Sequence, residues 1–208
     1  MRSFRKFRTL VLATQNPGKI REFKKLIGKK QFHLNLKTFT DFPNRPQVIE
    51  RGNSFEANAC LKARLISLYT GLPALADDSG LVIPYLKGDP GIYSARFAGE
   101  KATDSQNIAK VLRLLRKAEG QSRRAYFQCI LAFHFSEKTV LFRGKCFGRI
   151  LFEPSGTQGF GYDPIFYFPP LNRTFAELSQ IQKNRVSHRA KAFEKFKFYL
   201  LRLLKKNN

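Results

Sequence analysis

Acidic residues are scarce in this chain of 208 residues. It holds 15 Asp and Glu against 38 Lys and Arg, which gives a formal net charge of +23 at pH 7. The excess is concentrated in residues 1–30 and 183–208. A surplus of this size favours anionic partners, namely nucleotides, polyphosphates or nucleic acid. No RNP-type, zinc-finger or helix-turn-helix signature accompanies the charge, so charge alone does not establish nucleic-acid binding.

Cysteines and long apolar runs are also few. Cys60, Cys129 and Cys146 form neither a Cys-x-x-Cys metal pair nor an even set for disulfides, so we expect small buried residues of a reduced protein. No apolar run reaches the length that spans a membrane, and Thr9–Ala13 is too short for the core of a signal peptide. A hydrophobic content of 43%, with 21 Phe, excludes a disordered polycation. We therefore expect a soluble cytoplasmic protein with no membrane partner.

Strands and helices alternate along the chain without repeats or low-complexity linkers. The predicted strands are Thr9–Ala13, Leu72–Leu75, Tyr126–Phe135 and Thr139–Phe147. The predicted helices run from Pro17 to about Ile27, from the cap Ser54 to about Tyr69, from Thr103 or Asp104 to near Lys117, and from Ser187 to about Leu204. In the second helix an apolar stripe consists of Ala57, Leu61, Leu65 and Leu68. This order predicts one α/β domain over residues 1–208, with a long mixed central sheet, flanking helices and a cleft between two lobes.

The acidic pair Asp77-Asp78 is conspicuous in so basic a chain. It follows the apolar run Leu72–Leu75, which predicts a buried strand, and it precedes an expected turn at Ser79-Gly80. Because neighbouring side chains at a strand end point to opposite sides, one carboxylate can face a cleft while the other braces the loop. Mg²⁺ prefers such oxygen ligands and is usually shared with substrate phosphates. A solvated turn is the alternative for an isolated Asp-Asp pair.

A candidate anion site lies at Thr14–Lys19, where a strand gives way to a helix. Asn16 is placed to cap the helix and Pro17 to occupy its first position. The backbone N–H groups of a helix N-terminus bind anions, and Lys19 adds a positive charge one turn in. The segment is not a Walker A loop, because the required glycines and the Lys-Ser/Thr ending are missing. An ordinary capped turn is the alternative.

Two later segments also carry candidate functional residues. Residues Ser155–Pro164 combine three glycines, two aromatic rings and an acid. Glycines allow a ligand to approach the backbone closely, and an exposed Phe ring offers a stacking surface for a base. Ser187-His188-Arg189 opens the last helix and, with Lys183, makes a compact set of hydrogen-bond donors. A lone His is more often an ordinary surface or core residue, and a plain loop is the alternative for the glycine-rich segment.

Together these segments resemble the inosine/xanthosine triphosphate pyrophosphatase family, from Leu10 to about Ala192. The matching segments, in family order, are Ala13–Lys19, Asn58–Ala59, Lys62–Arg64, Ala76–Gly80, Pro90–Arg96, Phe160–Phe166 and Ser187–Arg189. The resemblance implies an elongated α/β fold, a homodimer and Mg²⁺ as the cofactor. It implies hydrolysis of deaminated purine nucleoside triphosphates (ITP, dITP and XTP) to the nucleoside monophosphate and pyrophosphate, with no requirement for nucleic acid.

The resemblance also implies roles for particular residues. Asp78 would bind Mg²⁺ and act as general base on the water that attacks the α-phosphorus, with Asp77 and Ser79 in support. The substrate-binding residues that it implies are Thr14, Gln15, Asn16, Pro17, Gly18, Lys19 and Lys62 for the triphosphate side, Ser79 beside the acidic pair, and Phe160, Gly161, Tyr162, Asp163, Lys183, His188 and Arg189 for the base and nearby groups. Phe160 would stack on the purine.

The sequence departs from the family pattern at two acidic positions. Residues Val48–Gly52 hold one acid, Glu50, where the family usually has two, and Ala57 stands where a Glu is expected. Glu50 is therefore the candidate second metal ligand, while Glu56 either compensates or faces solvent. Two other functions stay open: a basic RNA-binding protein without turnover, and a pyrophosphatase for other modified nucleoside triphosphates.

Overall fold

The structure is a computed structural model that describes residues 8–27 and 34–205. Its strands are β1 (Thr9–Leu12), β2 (Asn35–Thr38), β3 (Ala74–Val82), β4 (Arg124–Phe135), β5 (Lys138–Ile150), β6 (Phe166–Phe168) and β7 (Arg173–Thr174). Its α-helices are α1 (Pro17–Ile27), α2 (Phe55–Thr70), α3 (Asp104–Leu114), α4 (Gln180–Val186) and α5 (His188–Lys205). The basic termini, residues 1–7 and 206–208, lie outside the described residues. No helix in the described ranges is long and apolar enough to cross a membrane.

Seven strands form one mixed sheet in the order β2-β1-β3-β4-β5-β6-β7. Strand β1 pairs in parallel with β2 and β3, and β6 pairs antiparallel with β5 and β7. Ser136 and Glu137 join β4 to β5 with φ angles of 48° and 64°, which suit the tight two-residue turns that match strand twist. The predicted α/β fold with a mixed central sheet is confirmed. The elongated shape and the cleft between two lobes stay predictions.

The chain divides into two compact units. The first unit comprises Met1–Asp78, Ile130–Arg143 and Ala190–Asn208, and the second comprises Ser79–Cys129 and Gly144–Arg189. One boundary therefore falls at the peptide bond that follows Asp78. Each unit has its own buried aromatic core and its own set of candidate functional residues. That the whole of residues 1–208 acts as one two-lobed domain stays a prediction.

The core of the first unit is built from aromatic side chains of α1, β4 and α5. The ring of Phe193 lies 6.4 Å from that of Phe23, and the ring of Phe196 lies 5.4 Å from that of Phe133, measured between centroids. Both α5 phenylalanines are fully buried, and burial of each such ring contributes about 1.5–3 kcal/mol. The aromatic face of α5 therefore packs against α1, which also carries Lys19, and against β4.

The core of the second unit surrounds Phe127 of β4. Its ring lies 4.6 Å from Phe166 and 5.8 Å from Phe175, between centroids. The same ring stacks on His188, with centroids 4.7 Å apart and planes at 16°. One candidate functional residue is thus seated directly on this core.

The apolar stripe predicted on the second helix does not face the core. Leu61 and Leu68 are 43% and 61% exposed. The buried residues of α2 are Phe55, Asn58, Ala59, Lys62, Ala63 and Ile66. Asn58 and Lys62 take the inner face, where Asn58 Oδ1 accepts a hydrogen bond from Gly52 N and Lys62 Nζ donates one to Asp78 Oδ1. These contacts offset part of the cost of burying the two side chains.

The prediction of a turn at Ser79-Gly80 is wrong, because β3 continues through both residues to Val82. Gly80 is required by a close approach: a Cβ built there would clash with Ser94 Oγ and with the carbonyl oxygen of Gly91. The same Ser94 Oγ accepts a hydrogen bond from Leu81 N at 2.9 Å. The acidic pair therefore lies inside strand β3 and not at its end.

Candidate functional site

The turn at Thr14–Lys19 has the capped geometry that the sequence predicts. Asn16 Oδ1 accepts a hydrogen bond from Lys19 N at 3.0 Å, and Thr14 Oγ1 accepts one from Asn16 N at 3.2 Å. Pro17 opens α1, whose first turn contains no acid, so the partial positive charge of the helix N-terminus is not compensated by its own side chains. Among the other residues of the turn, Gln15 is exposed and Gly18 is buried. The arrangement suits an anion.

Two lysines reach the acidic pair from two different helices. Lys19 of α1 forms an ion pair with Asp77 Oδ1. Lys62 Nζ of α2 lies 2.9 Å from Asp78 Oδ1, 2.9 Å from Glu50 Oε1 and 2.9 Å from the carbonyl oxygen of Asp77. Because successive residues of a strand point to opposite faces, each Asp takes its own lysine. The first unit thus brings together Lys19, Lys62, Asp77, Asp78 and Glu50, which we call the carboxylate–lysine cluster.

Burial shifts the proton equilibria of this cluster. Asp78 and Lys62 are 6% and 7% exposed. Burial raises the pKa of Asp78, because the loss of hydration outweighs the attraction of Lys62 and Lys19. Burial opposes the charged form of Lys62, but the nearby charges of Asp78 and Glu50 prevail and raise the pKa of Lys62. Lys62 therefore stays a cation at neutral pH, while Asp78 is a stronger base than an ordinary aspartate.

The carboxylates of the cluster fit a hard cation. Asp78 Oδ2 is buried and has no hydrogen-bond partner among the described residues. Glu50 places a second carboxylate on the same lysine as Asp78. Within residues 8–27 and 34–205 no group of three or more His, Cys, Asp or Glu could hold a metal ion. Mg²⁺ is usually held by one or two carboxylates together with waters and substrate phosphates, and Asp78 and Glu50 are two such carboxylates on one lysine.

Asn58 is a structural member of this site that sequence reasoning noted only as part of a motif. Its fully buried side chain accepts a hydrogen bond from Gly52 N to Oδ1 at 2.8 Å. A Cβ at Gly52 would lie 2.6 Å from that oxygen, so the glycine permits the contact. Asn58 thereby fixes the segment that carries Glu50. The available signal was its spacing of four residues before Lys62, which places both side chains on one face of a helix.

Glu56, the other candidate for a second metal ligand, lies in a different setting. Its Oε1 is 3.1 Å from Arg143 Nε, and the two side chains are 33% and 58% exposed. This is a surface ion pair. The structure thus brings Glu50, and not Glu56, to the lysine that also holds Asp78.

The glycine-rich loop of the second unit is organised by Asp163. Asp163 Oδ2 accepts a hydrogen bond from Phe160 N at 2.9 Å and forms a buried ion pair with Lys183. Gly161 has a φ of 61°, in the left-handed region that favours glycine. Tyr162 is buried, and burial followed by the charge of Asp104 raises the pKa of its hydroxyl. Asp163, the acid within the predicted base-binding loop, thus stabilises the loop's conformation.

Phe160 lies within cation–π distance of two buried cations. Lys183 Nζ is 4.8 Å and Arg189 Cζ is 5.7 Å from the ring centroid, where such contacts are favourable. Arg189 Nη2 also donates a hydrogen bond to Ser79 Oγ at 2.8 Å. The second unit therefore brings together four of the residues predicted to bind the base or lie beside it. We call Phe160, Asp163, Lys183 and Arg189 the ring–donor cluster.

The break between α4 and α5 sets the positions of the last candidate residues. Ser187 ends α4 in an extended conformation, with ψ of 158°, and its N–H donates to the carbonyl oxygen of Lys183. His188 then begins α5 with a side chain that is 4% exposed and stacked on Phe127. The structure thus seats His188 firmly, and its role in gripping the base stays a prediction.

Known proteins resemble this chain over most of its length. The model of the Ham1 family matches residues 10–199. A dITP/XTP pyrophosphatase of Halalkalibacterium halodurans is 45% identical over 191 residues, which cover 91% of this chain and 97% of that protein. A dITP/XTP pyrophosphatase of Bacillus anthracis is 47% identical over 189 residues, which cover 89% of this chain and 93% of that protein.

Solved structures give the same result. A HAM1 protein from Coxiella burnetii superposes with a TM-score of 0.84 at 42% identity, covering 93% of this chain and 98% of that one. The Ham1 protein of Staphylococcus aureus gives a TM-score of 0.81 at 38% identity, covering 92% and 97%. The resemblance inferred from the ordered motifs is therefore confirmed, and this chain belongs to the Ham1 family.

Proposed function

We propose that this protein hydrolyses deaminated purine nucleoside triphosphates (ITP, dITP and XTP) to the nucleoside monophosphate and pyrophosphate. Relatives at 45% and 47% identity carry the name dITP/XTP pyrophosphatase. The structural observation that carries the proposal is the state of Asp78. One of its oxygens is held by Lys62, the other is buried without a partner among the described residues, and burial raises the pKa of the carboxyl.

In the first unit, the triphosphate is bound by the start of α1 and by the two lysines. The exposed N-terminus offers backbone N–H groups to phosphate oxygens. Lys19 and Lys62 add point charges that stabilise negative charge as it develops on the leaving group. Both lysines form ion pairs with aspartates in this structure. Their positions are therefore fixed before a phosphate arrives, which limits the entropy lost on binding.

Asp78 takes the proton of the attacking water. Lys62 holds Oδ1, so that Oδ2 is left to accept that proton. The water oxygen bonds to the α-phosphorus, and the bond from that phosphorus to the oxygen shared with the β-phosphorus breaks. The electron pair leaves with pyrophosphate.

We propose Mg²⁺ as the cofactor, held by Asp78 and Glu50. When bound, Mg²⁺ supplies positive charge that stabilises the charge developing on the departing pyrophosphate. Asn58 keeps Glu50 in place through its hydrogen bond from Gly52 N. Lys62 lies at 2.9 Å from both carboxylates and holds each of them in a defined orientation.

In the second unit, the ring–donor cluster binds the base. Phe160 offers a face for stacking on the purine. Arg189 can only donate hydrogen bonds, so it suits the six-position carbonyl of hypoxanthine or xanthine and cannot form that hydrogen bond with the amino group of adenine. A site with fixed donors rejects the wrong base because a buried donor without a partner is costly. Guanine shares the carbonyl, so its rejection must depend on its two-amino group.

A screen of nucleoside triphosphates tests this function. ITP, dITP, XTP, ATP, GTP and modified pyrimidine triphosphates are each incubated with the protein and Mg²⁺, and pyrophosphate release is measured. We expect release from the first three at rates at least about tenfold above the others. Orthophosphate in place of pyrophosphate, or a higher rate with a pyrimidine, would contradict the proposal. No observation favours a basic RNA-binding protein without turnover.

We also propose a homodimer that acts in the cytoplasm. Both parts are supported by the family resemblance. The nucleotide pool that such an enzyme would clear is consistent with that location. The molar mass in solution, measured by light scattering after size exclusion, checks the dimer: twice the mass of one chain is expected, and a single-chain mass would contradict it.

A further inference from the structure

The loop that carries Phe160 needs external support to hold its ring in one place. Gly159 and Gly161 flank that residue, with φ angles of 82° and 61°. Glycine loses more conformational freedom on ordering than any other residue, so a loop of this composition is costly to fix when a ligand binds. Any contact that fixes the loop beforehand lowers that cost.

Two consecutive backbone amides of the loop are each held by a different carboxylate. Phe160 N donates to Asp163 Oδ2 at 2.9 Å, which is a contact within the loop itself. Gly161 N donates to Asp104 Oδ2 at 2.6 Å, across 57 residues of sequence. The second contact ties the loop to a separate element, the start of α3. Two tethers, meaning hydrogen bonds that hold the loop, therefore lie next to Phe160: an internal one from Asp163 and an external one from Asp104.

The start of α3 is a firm anchor. Thr103 and Gln106 form a capping box, with Thr103 N donating to Gln106 Oε1 at 2.8 Å. Asn107 is buried and receives a hydrogen bond from Ala98 N at 2.8 Å. Asp104 is the first helical residue, where a carboxylate is also stabilised by the helix dipole. The carboxylate that holds Gly161 is therefore itself fixed by its helix.

From this arrangement we propose that Asp104 is a positioning residue that presets the Phe160 ring for stacking on the purine base. The inference rests on the proposed function. Asp104 acts through the loop and touches neither the phosphates nor the reacting atoms. Its loss should weaken productive binding of the base and leave the chemical step alone, so that KM rises while kcat is unchanged.

The test compares Asp104→Ala with Asp104→Asn. Both variants remove the charge at the start of α3, but Asn keeps an oxygen that can accept the hydrogen bond from Gly161 N. Glu100→Ala, which removes an exposed carboxylate paired with Arg96, is the matched control. We expect Asp104→Ala to raise KM for ITP about tenfold, the value of one hydrogen bond to a charged group, and Asp104→Asn to stay within about threefold of the parent protein.

Inorganic tripolyphosphate separates base binding from phosphate binding. Used as a competitive inhibitor of ITP hydrolysis, it has no base to stack, so its Ki should be the same in Asp104→Ala as in the parent protein. A KM in Asp104→Ala within twofold of the parent would overturn the proposal. The proposal would also be overturned if Asp104→Ala and Asp104→Asn raised KM by the same factor. A fall in kcat at unchanged KM, or a rise in the Ki of tripolyphosphate that matches the rise in KM, would overturn it as well.

Hydrogen exchange of the free protein tests the tether without any substrate. The amide of Gly161 should exchange faster in Asp104→Ala than in Asp104→Asn, and the Glu100→Ala control should match the parent protein. Equal exchange in the two Asp104 variants would overturn the tether. Absence of pyrophosphate release from ITP by the parent protein would instead overturn the proposed function, so the two failures are distinguishable.

Discussion

The carboxylate–lysine cluster of the first unit and the ring–donor cluster of the second balance their charges differently. In the first, Lys19 and Lys62 each rest on an aspartate, and Glu50 adds a further carboxylate. In the second, Asp163 compensates Lys183, and Lys183 and Arg189 both lie near the ring of Phe160. A dense set of compensated charges suits phosphates, a cation and a proton. A ring with directional donors suits a flat, uncharged base.

This difference predicts that the two clusters fail in different ways. Substitutions in the carboxylate–lysine cluster should reduce turnover or nucleotide binding for every base alike. Substitutions in the ring–donor cluster should change the ratio of activities between bases. The predictions below are ordered from the largest expected effect to the smallest.

Asp78→Asn should abolish hydrolysis while the fold stays intact. Asn keeps the shape of the side chain but loses the charge that would bind Mg²⁺ and the basicity that accepts the proton. Loss of a general base alone typically reduces turnover about 10²–10⁴-fold. Pyrophosphate release at saturating Mg²⁺ and the thermal midpoint are measured together. Turnover above a tenth of the parent rate would remove Asp78 from the centre of the mechanism.

Arg189→Ala should collapse the preference for inosine triphosphate over adenosine triphosphate. A hydrogen bond to a charged group contributes about 1.5–3 kcal/mol, which is roughly one to two decades of discrimination. Because Arg189 is 1% exposed, Arg189→Lys is measured beside it, since Lys keeps the charge and most of the volume but loses the planar fork. An unchanged ratio in both folded variants means that the base is read elsewhere.

Glu50→Gln should raise the Mg²⁺ concentration needed for half-maximal activity by at least about tenfold, the effect typical of residues around a metal. Glu56→Gln is the matched control, because Glu56 pairs with Arg143 on the surface and should leave the Mg²⁺ titration unchanged. If Glu56→Gln raised the required Mg²⁺ concentration and Glu50→Gln did not, Glu56 and not Glu50 would be the second metal ligand. Equal titrations in both variants would leave Asp78 as the single protein ligand.

His134 should make the stability of the protein depend on pH, with a smaller effect than the substitutions above. Its side chain is 4% exposed, and Nδ1 lies 2.8 Å from Thr139 Oγ1. Burial lowers the pKa of His134. The unfolded chain therefore takes up the proton first, so this contribution to the free energy of unfolding is complete above about pH 6.5 and is lost as the pH falls below that value.

The check on His134 is a pair of denaturant titrations at pH 7.5 and pH 5.5. The parent protein should lose more stability between the two values than His134→Gln, because Gln does not titrate. Equal losses would show that the buried histidine does not contribute. Neither cluster is altered in this variant, so base preference should stay the same.

Local features of the fold could be predicted from the sequence, whereas long-range ones could not. The caps of α1 and α2 were predicted correctly because Asn16 and Ser54 bond to amides three residues ahead. The continuation of β3 past the acids was missed, since it depends on pairing with β4 in the sheet. The burial of the acids depends on Lys19 and Lys62, which lie far from the pair in sequence. Without those partners, two adjacent aspartates would not be stable inside a strand.

The same distinction holds for the site. The ordered motifs pointed to Asp78, Phe160 and Arg189 as candidates because each stands in a recognisable segment. The residues that hold those segments in place, Asn58 and Asp104, act through single contacts to Gly52 and Gly161. Nothing in the pattern of residues indicates which distant amide such a side chain will meet. The apolar stripe on α2 misled for a related reason, since Asn58 and Lys62 take the inner face through contacts to residues outside the helix.

The most direct test of the difference between the clusters compares Lys19→Ala with Arg189→Ala on the same two nucleotides. The measured quantity is kcat/KM for ITP divided by kcat/KM for ATP. Lys19→Ala should lower both values by a similar factor and leave the ratio within about twofold of the parent, because a phosphate contact does not depend on the base. Arg189→Ala should reduce the ratio by about tenfold or more. A shift of the ratio in Lys19→Ala as large as that in Arg189→Ala would contradict the assignment of phosphate to the first unit and base to the second.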